Sequence, residues 1–241
     1  LSTDADTDTI STGPTDAEQV RTVLSRATSL SLTTTGRACD LIGLHSVGTK
    51  GQITLHPHPD SPLAQEAAAA PMGSLAALLE FTDIAPTPLR DRVRARVTAS
   101  GRLAPAGDGA LRLDTARVSL RTPAGAADVP LDEIALAEPD PLAAEEAAML
   151  THLADSHAEL MTELLGLAGS RLPRGMIRSL PLALDRHGIT LRCEYESGHC
   201  DLQLLFPALA RDATDAGEQI RQLLTAPRSC AHQQQHQHSR P

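Results

Sequence analysis

Three groups of side chains in this sequence have the types and spacing to do chemistry. The first is a histidine pair, His152 and His157. Leu150, Leu153, Leu160, Leu164 and Leu167 recur in steps of three and four, which marks the buried face of a helix over Leu142–Ala168. His157 falls on that stripe, near its centre, while Thr151, His152, Asp155, Glu159 and Glu163 gather on the opposite, wet face. A polar ring aimed at a core needs a hydrogen-bond partner or a ligand. His157 is therefore either a core histidine bonded to a strand carbonyl or a cofactor ligand. The two histidines are five residues apart, about 140° around a straight helix, where they cannot chelate one metal ion as an i, i+4 pair does.

The second group is a stripe of arginines. Arg90, Arg92, Arg94 and Arg96 alternate with Asp91, Val93, Ala95 and Val97. In a strand, period two puts the guanidiniums on one face. Adjacent like charges repel unless anions lie opposite, and the guanidinium fork matches phosphate or carboxylate. One reading makes Arg92, Arg94 and Arg96 a seat for an anionic ligand. The other is a solvated strand face paired with neighbouring acids such as Asp114. Asp91 interrupts the alternation, so the strand begins near Arg92.

The third group is His45, His56 and His58, which meet near one rim if their segments pair. Three imidazoles there suit a transition metal; the alternative is loop histidines with no such role. His187 and His199 fall in turns and are expected to be exposed. His232, His236 and His238 belong to a Gln-rich tail. No nucleophilic triad, phosphate loop or dinucleotide fingerprint occurs. Glu145 and Glu146 read as first-turn helix acids that favour the dipole.

The elements that must position these groups follow from composition and period. The chain has 241 residues, 41% of them hydrophobic, and a net charge of −9 carried against twenty Arg and one Lys. Phe81, Phe206 and Tyr195 are the only aromatics, so the core is aliphatic. An acidic, aromatic-poor chain argues against nucleic-acid binding. No apolar run approaches the roughly eighteen residues of a membrane span. The start of the chain lacks the basic and apolar segments of a signal peptide. Cys39, Cys193, Cys200 and Cys230 are irregularly spaced. A turn centred on Ser197-Gly198 sets Cys193 opposite Leu202, so reduced thiols and a cytoplasmic location are expected.

Residues 1–14 read as disordered. A capping box at Thr15–Glu18 opens a helix with Ala17, Val20, Leu24 and Ala27 inside. Strand-like runs follow at Leu30–Thr34, Asp40–Val47, Gln52–His56, Leu75–Thr82, Arg90–Ala99, Leu111–Leu120 and Val129–Leu136, with a short helix at Ser61–Ala70. That count favours a closed or half-closed antiparallel barrel over 15–138. Asp140-Pro141 caps the next helix. Strands at Ser179–Leu184, Ile189–Glu196 and Cys200–Phe206 and a helix from Asp212 complete a unit over 139–226, and 227–241 reads as a disordered tail. The fold class is α+β: an N-terminal split β-barrel followed by an αβββα domain.

Leu150-Thr-His152-Leu-Ala-Asp-Ser-His157-Ala, Ala183-Leu-Asp-Arg-His-Gly188-Ile-Thr-Leu-Arg192 and Leu202–Pro207 resemble the domain that follows a split barrel in haem-utilisation (HugZ-like) proteins. The plastid glutamyl-tRNA-reductase-binding protein is similar. The family's His-Met/Leu-Asn-x-Asp-His helix keeps both histidines here, with Ala154 for Asn and Ser156 for Asp. Arg96-Val-Thr-Ala-Ser-Gly101 resembles a strand of the FMN-binding split barrel of pyridoxamine-phosphate-oxidase-like proteins. At the family's Ser-x-Leu-x-x-His-x-x-Asn-like stretch this chain reads His56–Gln65, so no catalytic residue carries over. The resemblance implies a homodimer and a haem- or flavin-binding protein, with the arginine face meeting haem propionates or FMN phosphate and a histidine such as His157 on the iron. If there is turnover, it is that of a haem-degrading oxygenase or a flavin-dependent oxidoreductase. The alternative is a cofactor-free binding or regulatory module that acts through a protein partner.

Overall fold

In a computed structural model, residues 13–169, 172–225 and 235–236 are described. The first helix, α1 (Asp16–Arg26), starts as its sequence dictates. The Thr15 hydroxyl accepts from the Glu18 N–H while the Glu18 carboxylate accepts from the Thr15 N–H. Strands β1 (Ser29–Thr34), β2 (Ala38–Ile42), β3 (His45–Val47) and β4 (Ile53–Leu55) follow. The run expected as one strand over Asp40–Val47 is two, because Gly43 adopts φ 66° and breaks the ladder. After α2 (Pro62–Ala68) and a 3-10 turn come the long strands β5 (Leu75–Ile84), β6 (Val93–Pro105) and β7 (Leu111–Thr122), then β8 (Gly125–Val129) and α3 (Leu131–Leu136).

Two corrections fall here. Val129–Leu136 is not a strand. Pro130 ends β8, and Asp132 and Glu133 occupy the first turn of a helix that buries Ile134. The arginine strand begins at Val93, because Asp91 sits at φ 49° and turns the chain. Only Arg94 and Arg96 of the stripe therefore lie in β6.

The eight strands form one antiparallel sheet in the order β2-β1-β5-β6-β7-β4-β3, with β8 on the far end of β7. It curls as a split barrel around Leu32, Ile53, Leu55, Leu79, Phe81 and Leu103. Alternation along β5 sends Leu75, Ala77, Leu79, Phe81 and Asp83 inward. The last of these is a carboxylate placed at the end of an apolar face.

The second unit begins with turns over 141–145, where the Asp140 carboxylate accepts from the Leu142 N–H. Helices α4 (Glu146–Ser156) and α5 (Ala158–Gly166) stand where one helix was expected. The chain leaves the helix at His157, with φ −132° and ψ 48°. Asp155 and Ser156, which compete for nearby backbone groups, precede the break. The break shifts the buried phase: α4 buries Leu150 and Leu153, α5 buries Met161 and Leu164, and His157 is exposed. Strands β9 (Arg178–Asp185), β10 (Gly188–Tyr195) and β11 (Gly198–Leu205) form a meander, followed by α6 (Ala213–Thr225); β12 (Gln235–His236) pairs with β11. This sheet and its helices bury Leu142, Leu164, Ile189, Leu191 and Leu204.

The β10–β11 turn is Glu196-Ser197, one residue earlier than expected. Cys193 therefore stands directly opposite Cys200. Both are free thiols, as is Cys39. Burial pushes the Cys193 thiol up to about 11. The expected disorder of 1–14 and 227–241 falls mostly on residues outside the described ones, as do His232 and His238.

Two glycines test the packing in opposite senses. A Cβ on Gly101, at the bulge between β6 and β7, would lie 2.0 Å from the Asp114 carbonyl oxygen, whereas one on Gly217 in α6 meets nothing. Gly101→Ala should lower the urea midpoint by the equivalent of about 1–3 kcal/mol. Gly217→Ala should raise stability by roughly 0.5–1 kcal/mol through backbone entropy. Equilibrium unfolding of both variants checks this.

Candidate functional site

The arginine stripe can be followed residue by residue. Arg94 leaves β6 toward the second unit and makes five hydrogen bonds. Nε and Nη2 donate to Asp83 at 3.0 and 2.8 Å, Nη1 and Nη2 to Glu146 at 2.6 and 3.0 Å, and Nη1 also to the Leu182 carbonyl at 3.0 Å. Every N–H of that guanidinium is used. Burial alone would lower its affinity for the proton; Glu146 and Asp83 more than offset this and raise the pKa. Arg26 from α1 closes the cluster, donating to Asp83 at 2.6 Å and to Glu146. Glu146 is only 2% exposed and also accepts the Leu184 N–H at 3.0 Å. Two arginines and two acids thus neutralise one another where the barrel meets β9 and α4.

The neighbouring arginines are also engaged. Arg92 donates twice to the Ala85 carbonyl. The Arg90 N–H donates to Glu194 at 2.7 Å, and its guanidinium reaches the carbonyls of Tyr195 and Glu196. From the other side, Arg192 grips Asp201 at 2.7 and 2.8 Å and donates to the carbonyls of Arg90 and Asp91. The Arg178 guanidinium, bonded to Glu194 at 2.8 Å, holds that carboxyl below its usual range. A small apolar cluster of Ala85, Leu89 and Leu182 fills the gap between these contacts. Arg92 and Arg96 are exposed and make no ion pair among the described residues.

The histidines divide differently. His157 does not point into a core; its ring meets that of His152. His45, His56 and His58 do not converge, and no group of three or more metal-ligating side chains occurs among the described residues. His56 Nε2 bonds the Ser46 hydroxyl at 2.8 Å, and His58 is exposed. His45 faces the other way, edge-on to Phe81 with centroids 5.5 Å apart. Its Nδ1 is buried and has no hydrogen-bond partner. Burial lowers its pKa, the Ala27 carbonyl opposing and His56 adding to the effect, which favours the neutral ring. His45 lines a cavity of about 470 Å³ with Arg21, Ser46, Thr49 and Glu138. Arg21 donates to the carbonyls of Gly48 and Thr49, yet its Nε is buried without a partner.

This chain has the fold of a heme-binding protein from Mycobacterium smegmatis. The two share 20% identity and a TM-score of 0.58 over 89% of this chain and 99% of that one. A protein of unknown function from Agrobacterium tumefaciens matches at 16% identity over 88% of this chain and 97% of its own, with a TM-score of 0.36. No family model and no curated protein matches the sequence. At such identity the first likeness establishes the architecture, a split barrel with an αβββα unit behind it. Among the described residues no helix is long and apolar enough to cross a membrane.

Glu146 and Arg21 are the residues that periodicity passed over. Glu146 carries the appearance of a dipole acid, and only its tertiary partner Arg94 shows its role. Arg21 lies one residue from the buried Val20 on α1, and its 5% exposure has no signature in the sequence. Glu146→Gln should cost about 3–5 kcal/mol, as expected when a buried pair loses one partner. Removing the exposed pair Arg117–Asp128 should leave the unfolding midpoint unchanged. Parallel urea titrations compare the two.

Proposed function

We propose that this chain is a haem-binding protein in which His45, rather than His157, provides the bond to iron. The observation that carries the reading is a cavity lined by both His45 and Arg21, each of which has one buried nitrogen without a hydrogen-bond partner. His45 Nδ1 offers a lone pair with no donor, and Arg21 Nε an N–H with no acceptor. Buried polar groups are almost always satisfied by protein or water, and two such groups beside one cavity suit a ligand with both an electrophilic centre and an anionic group. Iron and propionate supply those two chemistries, and the cavity lies within the roughly 300–1,000 Å³ of small-molecule sites. Iron when bound there would supply redox and oxygen chemistry; the chain supplies a neutral imidazole and a guanidinium. The full-length likeness to a heme-binding protein supports the same reading.

FMN fits poorly. A phosphate dianion needs several free donors, and of the stripe that would have met it only Arg96 is left, the rest being engaged by Asp83, Glu146, Glu194 and backbone carbonyls. That saturation also favours the second reading, a cofactor-free module whose partner is a protein. In both readings the chain pairs with a second copy through the barrel, as the family resemblance implies.

Titration with haemin separates them. The expected result is a shifted Soret band at one equivalent, weakened tenfold or more by His45→Ala and unchanged by His157→Ala, while FMN fluorescence stays unquenched. A flat haemin titration rejects haem binding in favour of the protein-partner reading. A Soret shift indifferent to His45→Ala rejects His45 as the ligand.

A further inference from the structure

At the break between α4 and α5 the Nε2 atoms of His152 and His157 lie 3.1 Å apart. The ring centroids are 4.8 Å apart and the planes cross at 86°. Both residues are exposed. A straight helix would hold these side chains about 140° apart. They meet because the backbone departs from helical geometry at His157. Two exposed imidazoles gain little by meeting, since water can satisfy each nitrogen separately. Two nitrogens at this spacing share either one proton or one electrophile.

We propose that His152 and His157 form a two-point site for a borderline divalent transition metal ion, such as zinc, copper or nickel. Metal–imidazole bonds of about 2.0–2.1 Å put two ligating nitrogens about 2.9 Å apart at a right angle and about 3.3 Å apart at a tetrahedral angle. The observed 3.1 Å falls between these values. Imidazole selects such metals over magnesium and calcium, which prefer oxygen. Asp155 and Glu159, both exposed and close by in the sequence, add negative charge to the surroundings. No third ligating side chain completes the group among the described residues, so the remaining coordination positions are open to water or to a donor from outside. A bound ion ties α4 to α5 across the break and therefore stabilises the folded state. The site shares no residue with the His45 cavity.

The test uses the full chain with His232, His236 and His238 changed to Ala, which removes competing tail imidazoles, and Zn²⁺ alone as the probe. Competition against a chromophoric chelator should show one equivalent bound. Binding should weaken tenfold or more in His152→Ala and in His157→Ala, and stay unchanged in His45→Ala, whatever the outcome with haemin. Zn²⁺ should raise Tm in the parent and not in His152→Ala, and Mg²⁺ should raise it in neither. Ring ¹⁵N spectra of the parent give a readout independent of any variant's folding; both His152 and His157 Nε2 signals should move on adding Zn²⁺. Equal Zn²⁺ affinity in parent and variants, or ring signals that stay in place, overturns the proposal and leaves the contact as a shared proton only.

Discussion

The structure turns on one guanidinium. Arg94 leaves the barrel sheet at a point where an uncompensated cation would be prohibitively desolvated. It is tolerated because Asp83, from the adjacent strand, and Glu146, from the first turn of α4, take up its N–H groups in two forks. Arg26 balances the second negative charge. Removal of water from charges on both sides offsets much of the Coulomb attraction, so such a cluster contributes more to geometry than to net stability. Its directional bonds settle how β5, β6, α1 and α4 stand against β9. The nearby apolar contact of Ala85, Leu89 and Leu182 is small and without direction of its own.

The cluster also decides what the barrel can bind. A segment with four alternating arginines has the charge for a phosphate seat, but Arg90 and Arg94 are instead bonded into the seam between two units. Arg192 and Glu194, each 3% exposed, carry the same logic across β10: Ile189, Leu191 and Cys193 face the helices of their own unit, while the alternate positions bond to the segment around Arg90. A sheet with one apolar and one ionic face can be buried on both sides only where the ionic face meets its complement. Apart from Arg96, the anion-binding capacity of the stripe is thereby spent inside the chain.

Much of the fold is legible in the sequence because it rests on local rules. The Thr15–Glu18 box starts α1, alternation marks β5 and β7, and the turn residues delimit the β9–β11 meander. The failures have equally specific causes. Val129–Leu136 has alternating apolar residues, but Pro130 and two following acids make it a helix start. A turn displaced by one residue moves every cross-strand partner by two, which sets Cys200 rather than Leu202 opposite Cys193. His157 lies on a leucine stripe that is continuous in sequence and interrupted in space. The site was less legible than the fold. That Arg94 meets Glu146, 52 residues away, is a tertiary fact with no periodic signal, and the same holds for the orphaned Nε of Arg21.

The Arg94 cluster and the surroundings of His45 differ in how far their polar groups are satisfied. Around Arg94 every guanidinium N–H and both carboxylates are engaged, and the Nε of Arg26 is the one buried nitrogen of the cluster left without a partner. Around His45 the strand pairing of β3 with β4 turns the ring away from Ser46 and His56 and toward Phe81, an aromatic edge that supplies contact but no hydrogen-bond acceptor for Nδ1. Burial then favours the neutral ring, which preserves the lone pair that a metal centre would take. A neutral imidazole held in this way is a poor structural strut and a serviceable ligand, whereas the fully paired Arg94 is the reverse.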